Sequence, residues 1–142
     1  MSAPSLTLAH RPDLGMVIAR WQRETTPAEL RHDYLAIRTL ADECHCGQWL
    51  LDLRRREDVT EPLVNTWFGH EFAPSLRGRY AAPARLAFLV SPLRAQHPVV
   101  ATVSADEADC LVATFVEESA ACDWLTMGLT DFADTPLTGN IV

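Results

Sequence analysis

The spacing of apolar residues changes along the chain, and each change marks an element. Residues 6–10, LTLAH, read as a short strand, and residues 16–22, MVIARWQ, as a second. Pro12 and Gly15 punctuate the stretch between them, so the two strands are predicted to pair as a hairpin. The period then becomes helical. Leu30, Tyr34, Ile37 and Ala41 recur at steps of four, three and four, which sets one apolar stripe along one face. Thr26 is placed to be the N-cap of this helix, with Pro27 at its first position and Glu29 able to complete a capping box. Arg31, Asp33 and Arg38 fall toward water, and Gly47 is the expected stop.

WLLDL (49–53) has the length and flanks of a buried strand, and RRREDVTEP after it reads as a polar loop. A second helix is predicted to start near Thr60, with Glu61 and Pro62 in its first turn, and to be broken or bent at Pro74. ARLAFLVS (84–91) and LVATFV (111–116) are further strands. Residues 97–109 carry both β-branched residues and a helix-favouring SADEAD, and are taken as helix. Residues 117–127 form the last helix, with Ala121, Trp124 and Leu125 on one face. The order is ββαβαβαβα. It predicts an α/β fold with a single mixed, mostly parallel sheet of about five strands, about four helices and an antiparallel strand at one edge. Residues 1–127 are expected to be one domain and 128–142 a loosely ordered C-terminal tail.

Composition narrows the function classes. A chain of 142 residues that is 48% hydrophobic can bury a real core. The net charge is −7, and all twelve basic residues are arginine. Without lysine there is no Schiff base and no phosphate-loop lysine. The acidic balance argues against nucleic-acid partners, which require a positive surface. No stretch has the length of an integral membrane segment, and no secretory signal is legible, so a cytoplasmic protein with its four cysteines reduced is expected.

Few residues invite chemistry. Cys44-His45-Cys46 offers zinc-type ligands, but a structural site needs four and the other cysteines, Cys110 and Cys122, stand alone. The plainer reading puts Cys44 on the buried stripe and His45 and Cys46 at the helix end, where the negative dipole disfavours a thiolate. Asp52, inside an apolar strand, must be paired or hydrogen-bonded. His70-Glu71 lacks the second histidine of a zinc-protease helix because position 74 is proline. No metal, cofactor or catalytic set is expected. Arg54, Arg55 and Arg56 leave the end of a strand, where open α/β sheets bind ligands, so they are either a solvated loop or an anion contact. Trp67, Phe68 and Phe72 load the second helix with aromatic surface, for core packing, a dimer contact or an apolar pocket.

The block QWLLDLRRREDVTEPLVNTWFGHEFAPSL, with ARLAFLVSPL further on, resembles bacterial STAS-like proteins of the anti-sigma-factor-antagonist type. The resemblance is carried by Leu50-Leu51-Asp52-Leu53-Arg54, Thr60, Trp67, Ala87-Phe88-Leu89-Val90-Ser91, and Phe115 with Ala121-Cys122-Asp123-Trp124-Leu125, and covers roughly residues 15–126. It implies a compact α/β domain that works by binding a protein partner rather than by catalysis. It also implies a phosphoswitch on a serine at the start of the helix after a central strand. The chain departs there, with Arg-Arg-Arg-Glu-Asp-Val-Thr in place of an Asp-Ser-Ser-Gly type of sequence; Thr60 is the nearest hydroxyl. The expected function is therefore a non-enzymatic, protein-binding STAS-like domain, as a homodimer or with another protein. Its contact surface would be Thr60, Trp67, Phe68 and the arginine loop. The alternative is a carrier or sensor of a lipid-like or anionic small ligand near Arg54, Arg55 and Arg56.

Overall fold

The computed structural model describes residues 5–56, 66–96 and 108–127. Five strands form one sheet in sequence order: β1 (Leu6–Arg11), β2 (Met16–Trp21), β3 (Gln48–Asp52), β4 (Ala84–Leu89) and β5 (Cys110–Phe115). β1 runs antiparallel to β2 and the other neighbours are parallel, as the alternation of strands and helices predicts. The hairpin closes at Pro12–Gly15, where Leu14 N–H reaches the Arg11 carbonyl at 3.0 Å and Gly15 takes a φ of 68°.

Helix α1 (Pro27–Cys44) begins as its sequence dictates: Thr26 Oγ1 accepts from Glu29 N–H at 3.2 Å and Glu29 Oε1 accepts from Thr26 N–H at 2.9 Å. Leu30, Tyr34, Ile37 and Ala41 are all buried; so, against the expectation that it faces water, is Asp33, which accepts from Trp21 Nε1 at 2.9 Å. Its end differs from expectation. His45, at φ 54°, makes the left-handed turn, and Cys46 N–H reaches back to the Ala41 carbonyl at 2.9 Å, so the helix stops before Gly47. Gly47 serves close packing instead: a Cβ there would lie 3.1 Å from the Tyr80 ring. The thiols also exchange roles. Cys46 is buried, with contacts to the carbonyls of Gly15 and Gln48, while Cys44 is only partly buried.

The second helix, α2, is described from residue 66. It widens into a π-turn at Phe68–Phe72 and tightens into a 3₁₀ turn at Ala73–Leu76, the bend expected where Pro74 withholds its N–H. A one-turn helix, α3 (Pro92–Ala95), follows β4, with Ser91, expected as the last residue of the strand, as its cap and Pro92 at its first position. Residues 97–107 lie outside the described residues, and with them most of the predicted 97–109 helix. So do Thr60 at the start of the second helix and the segment 128–142. Helix α4 covers 118–127.

β2, β3 and β4 bury both faces by simple alternation, while β1 at the edge is largely exposed. Val17, Ala19, Trp21, Trp49, Leu51, Leu86 and Phe88 face α1 and α2, where Tyr34, Phe68 and Phe72 meet them. Met16, Ile18, Leu50, Ala87 and Leu89 face α4 through Ala121 and Leu125, with Trp124 packed at the margin. Among the described residues no helix is long and apolar enough to cross a membrane.

Candidate functional site

The chain leaves β3 through Arg54, Arg55 and Arg56, and a turn separates them, closed by Arg56 N–H on the Leu53 carbonyl at 2.9 Å. In the parallel register Arg20 of β2 lies beside Asp52 of β3, both on the α4 face. Arg54 folds back to the same carboxylate, donating from Nε to Oδ1 at 3.0 Å and from Nη2 to Oδ2 at 2.9 Å, while its backbone N–H reaches Oδ1 at 3.1 Å. Arg20 Nη1 donates to Asp52 Oδ2 at 2.7 Å and to Glu118 Oε1 at 2.9 Å, and Arg54 Nη2 reaches Glu118 Oε1 at 3.2 Å. Two guanidinium groups and two carboxylates thus close a ring that ties the first turn of α4 to the carboxyl end of the sheet.

Burial is the largest single influence on Asp52 and would raise its carboxyl. The hydrogen bonds from Arg54 and Arg20 together outweigh it and hold the group below the ordinary carboxylate range. Glu118 is lowered as well, chiefly by its hydrogen bonds from Arg20, and Arg20 is raised, by Glu118 first and Asp52 second. Asp52, which the sequence requires to be paired or hydrogen-bonded, is therefore an ionised carboxylate with both oxygens engaged.

This ring opens on a cleft of about 500 Å³, completed by Trp21, Gln22 and Arg55. Arg55 donates to Gln22 Oε1 at 2.5 Å and makes no ion pair among the described residues. Arg54 and Arg55 are exposed at its mouth, as the loop reading expects.

Arg56 is not part of that surface. It is 1% exposed and lies on the α1 side of the sheet, against the reading of three solvated arginines. Phe68 is likewise 3% exposed, inside the aromatic cluster with Tyr34 and Phe88 at centroid distances of 5.4 and 5.9 Å. Trp67 is partly buried and stacks 5.3 Å from Phe72. The aromatic part of the predicted partner surface is thus mainly core, and Thr60 lies outside the described residues. Cys44, His45 and Cys46 diverge into partly buried, exposed and buried positions. Among the described residues no three His, Cys, Asp or Glu side chains gather as a metal site would require. Burial pushes the Cys46 thiol up, and the Cys110 thiol up to about 11, away from the reactive thiolate.

Arg20, Glu118 and Gln22 were not singled out by sequence. Arg20 carried one signal, a charge at a position that continues the Met16–Ile18 alternation. Glu118 carried none, because only the packing of α4 brings it beside Arg20, ninety-eight residues away. No family model matches the chain, and no curated protein or solved structure matches it either.

Proposed function

We propose that the chain is a non-enzymatic, cytoplasmic STAS-like domain that binds a protein partner through the cleft at the carboxyl end of β2 and β3. The observation that carries this reading is the exposed pair Arg54 and Arg55 at the mouth of a charged, open cleft, with Arg54 held in a fixed pose by Asp52 and Glu118. Small-molecule sites are mostly apolar and enclosed, whereas a polar, water-facing rim with fixed arginines suits an acidic patch on another protein. A saturated, ionised Asp52 is a poor general base and cannot donate a proton, which favours binding over catalysis. The partner is either another protein or a second copy of the chain.

The test compares the unmodified chain with the R54E/R55E double variant, each immobilised and cross-linked in lysate of the source cells, alongside light scattering of the free proteins. Proteins retained by the unmodified chain and lost from the variant, or a dimer lost in the variant, support the reading. An unmodified chain that is monomeric and retains nothing, or identical retention by the variant, overturns it.

A further inference from the structure

A guanidinium withdrawn from water must be met by an anion or by hydrogen-bond acceptors, because an uncompensated buried charge costs several kcal/mol. Arg56 is withdrawn in this way, and its Nε and Nη2 have no hydrogen-bond partner among the described residues. The carboxylate that approaches it, Glu24 Oε1, stands 3.6 Å from Nε, beyond hydrogen-bond reach, on a side chain that is itself 49% exposed. Around Arg56 the surroundings are donor-rich. Arg94, from α3, donates its Nη1 to the Arg56 carbonyl at 3.0 Å. The charges of Arg56 and Arg94 both act on the buried Tyr34 hydroxyl, and Thr25 Oγ1 is buried with no hydrogen-bond partner among the described residues. These groups come from the segments that follow β2, β3 and β4 and from α1, at the carboxyl ends of parallel strands where such sheets admit ligands.

We propose that Arg56, with Arg94 and Thr25, forms a site for the phosphate group of a small molecule, on the α1 side of the sheet and separate from the Arg54 cleft. The Arg56 fork and the Thr25 hydroxyl, with Arg94 beside them, suit an anion with several acceptor oxygens better than a single carboxylate. Glu24 sits at its exposed side, where it orients Arg56 and leaves Nη2 to the ligand.

Thermal unfolding of the full chain tests the site, in inorganic phosphate, glycerol phosphate, acetate and chloride at equal ionic strength and neutral pH. Binding to the native state alone predicts a saturable rise in Tm of several degrees with phosphate over chloride. Arg56→Met should abolish the rise and Arg55→Ala should leave it. Arg56→Lys keeps the charge without the fork, and should weaken the apparent affinity about tenfold, so the site stays testable if the methionine variant does not fold. A larger effect of glycerol phosphate assigns a phosphomonoester, and one confined to inorganic phosphate assigns the free ion; either supports the site. Equal Tm in phosphate and chloride overturns it, and means that Arg56 is compensated within the chain, whose next residues include Glu57, Asp58 and Glu61. Acetate matching phosphate overturns the phosphate assignment, and a rise that survives in Arg56→Met overturns the location.

Discussion

Arg54 and Arg56 are two residues apart and live in opposite electrostatic settings. Arg54 is exposed, and shares Asp52 and Glu118 with Arg20. Arg56 is buried, and among the described residues the carboxylate near it is that of half-exposed Glu24, 3.6 Å away. A similar contrast separates two of the buried aspartates. Asp52 is lowered by arginine partners that overcome its burial, whereas Asp33, which accepts from Trp21 Nε1 at 2.9 Å, is raised because burial wins. Burial alone does not set the state of a charge. The partner that tertiary packing delivers to it does.

The largest effect should come from breaking the paired side. Asp52→Ala leaves Arg20 and Arg54 facing each other without their shared carboxylate, and should cost about 2–3 kcal/mol in urea unfolding. That is below the value for a fully buried pair, because both arginines are partly exposed. A cost under about 0.5 kcal/mol, the level of an ordinary surface change, would deny the ring its structural role. The Arg56 side should respond with the opposite sign. In phosphate-free buffer Arg56→Met should be neutral or about 1–2 kcal/mol stabilising, since an apolar side chain replaces an under-compensated buried charge. Strong destabilisation would show that Arg56 has partners in the folded chain.

The aspartates sharpen the comparison through pH. Lowered folded-state values for Asp52 and Glu118 mean that their stabilisation is complete above the ordinary carboxylate range and is lost as pH falls through it. Unfolding in acid should therefore begin near about pH 4, and be blunted in Asp52→Asn. Asp33 has the reverse sign: its folded carboxyl holds the proton longer than the unfolded one, so it loses stability as pH rises from the ordinary carboxylate value. Asp33→Asn should gain about 1 kcal/mol at pH 7, with the gain vanishing in acid. A flat difference between Asp33→Asn and the parent from pH 3 to 7 would remove that account. The smallest effect belongs to Arg55→Ala, within about 0.5 kcal/mol, because its contact is an exposed hydrogen bond to Gln22.

Much of this fold is legible in local pattern. The Thr26–Glu29 box, the Leu30–Ala41 stripe and the turn at Pro12–Gly15 rest on residues a few positions apart, so the sequence alone carries their physics. The strand run 49–53 is one residue late, because Gln48 is polar and still pairs in the sheet beside Arg85. The Gly47 stop failed for a longer-range reason. His45 tolerates the left-handed turn, and glycine is needed two residues later by the Tyr80 ring. The candidate site was half legible. The position of the arginines at a strand end and the need of Asp52 for a partner could be read. The choice of Arg20 and Glu118, the burial of Arg56 and the inward turn of Phe68 could not.

The sequence by itself determined the order of strands and helices, the apolar stripe of α1 and the mostly parallel sheet, because periodicity, caps and connection lengths are local quantities. The tertiary structure alone decided which of three consecutive arginines meets water, which meets a carboxylate and which is enclosed. The turn that follows β3, closed by Arg56 N–H on the Leu53 carbonyl, sends Arg54 and Arg56 to opposite sides of the sheet, and what waits on each side arrives from α1, α3 and α4, folded from distant parts of the chain.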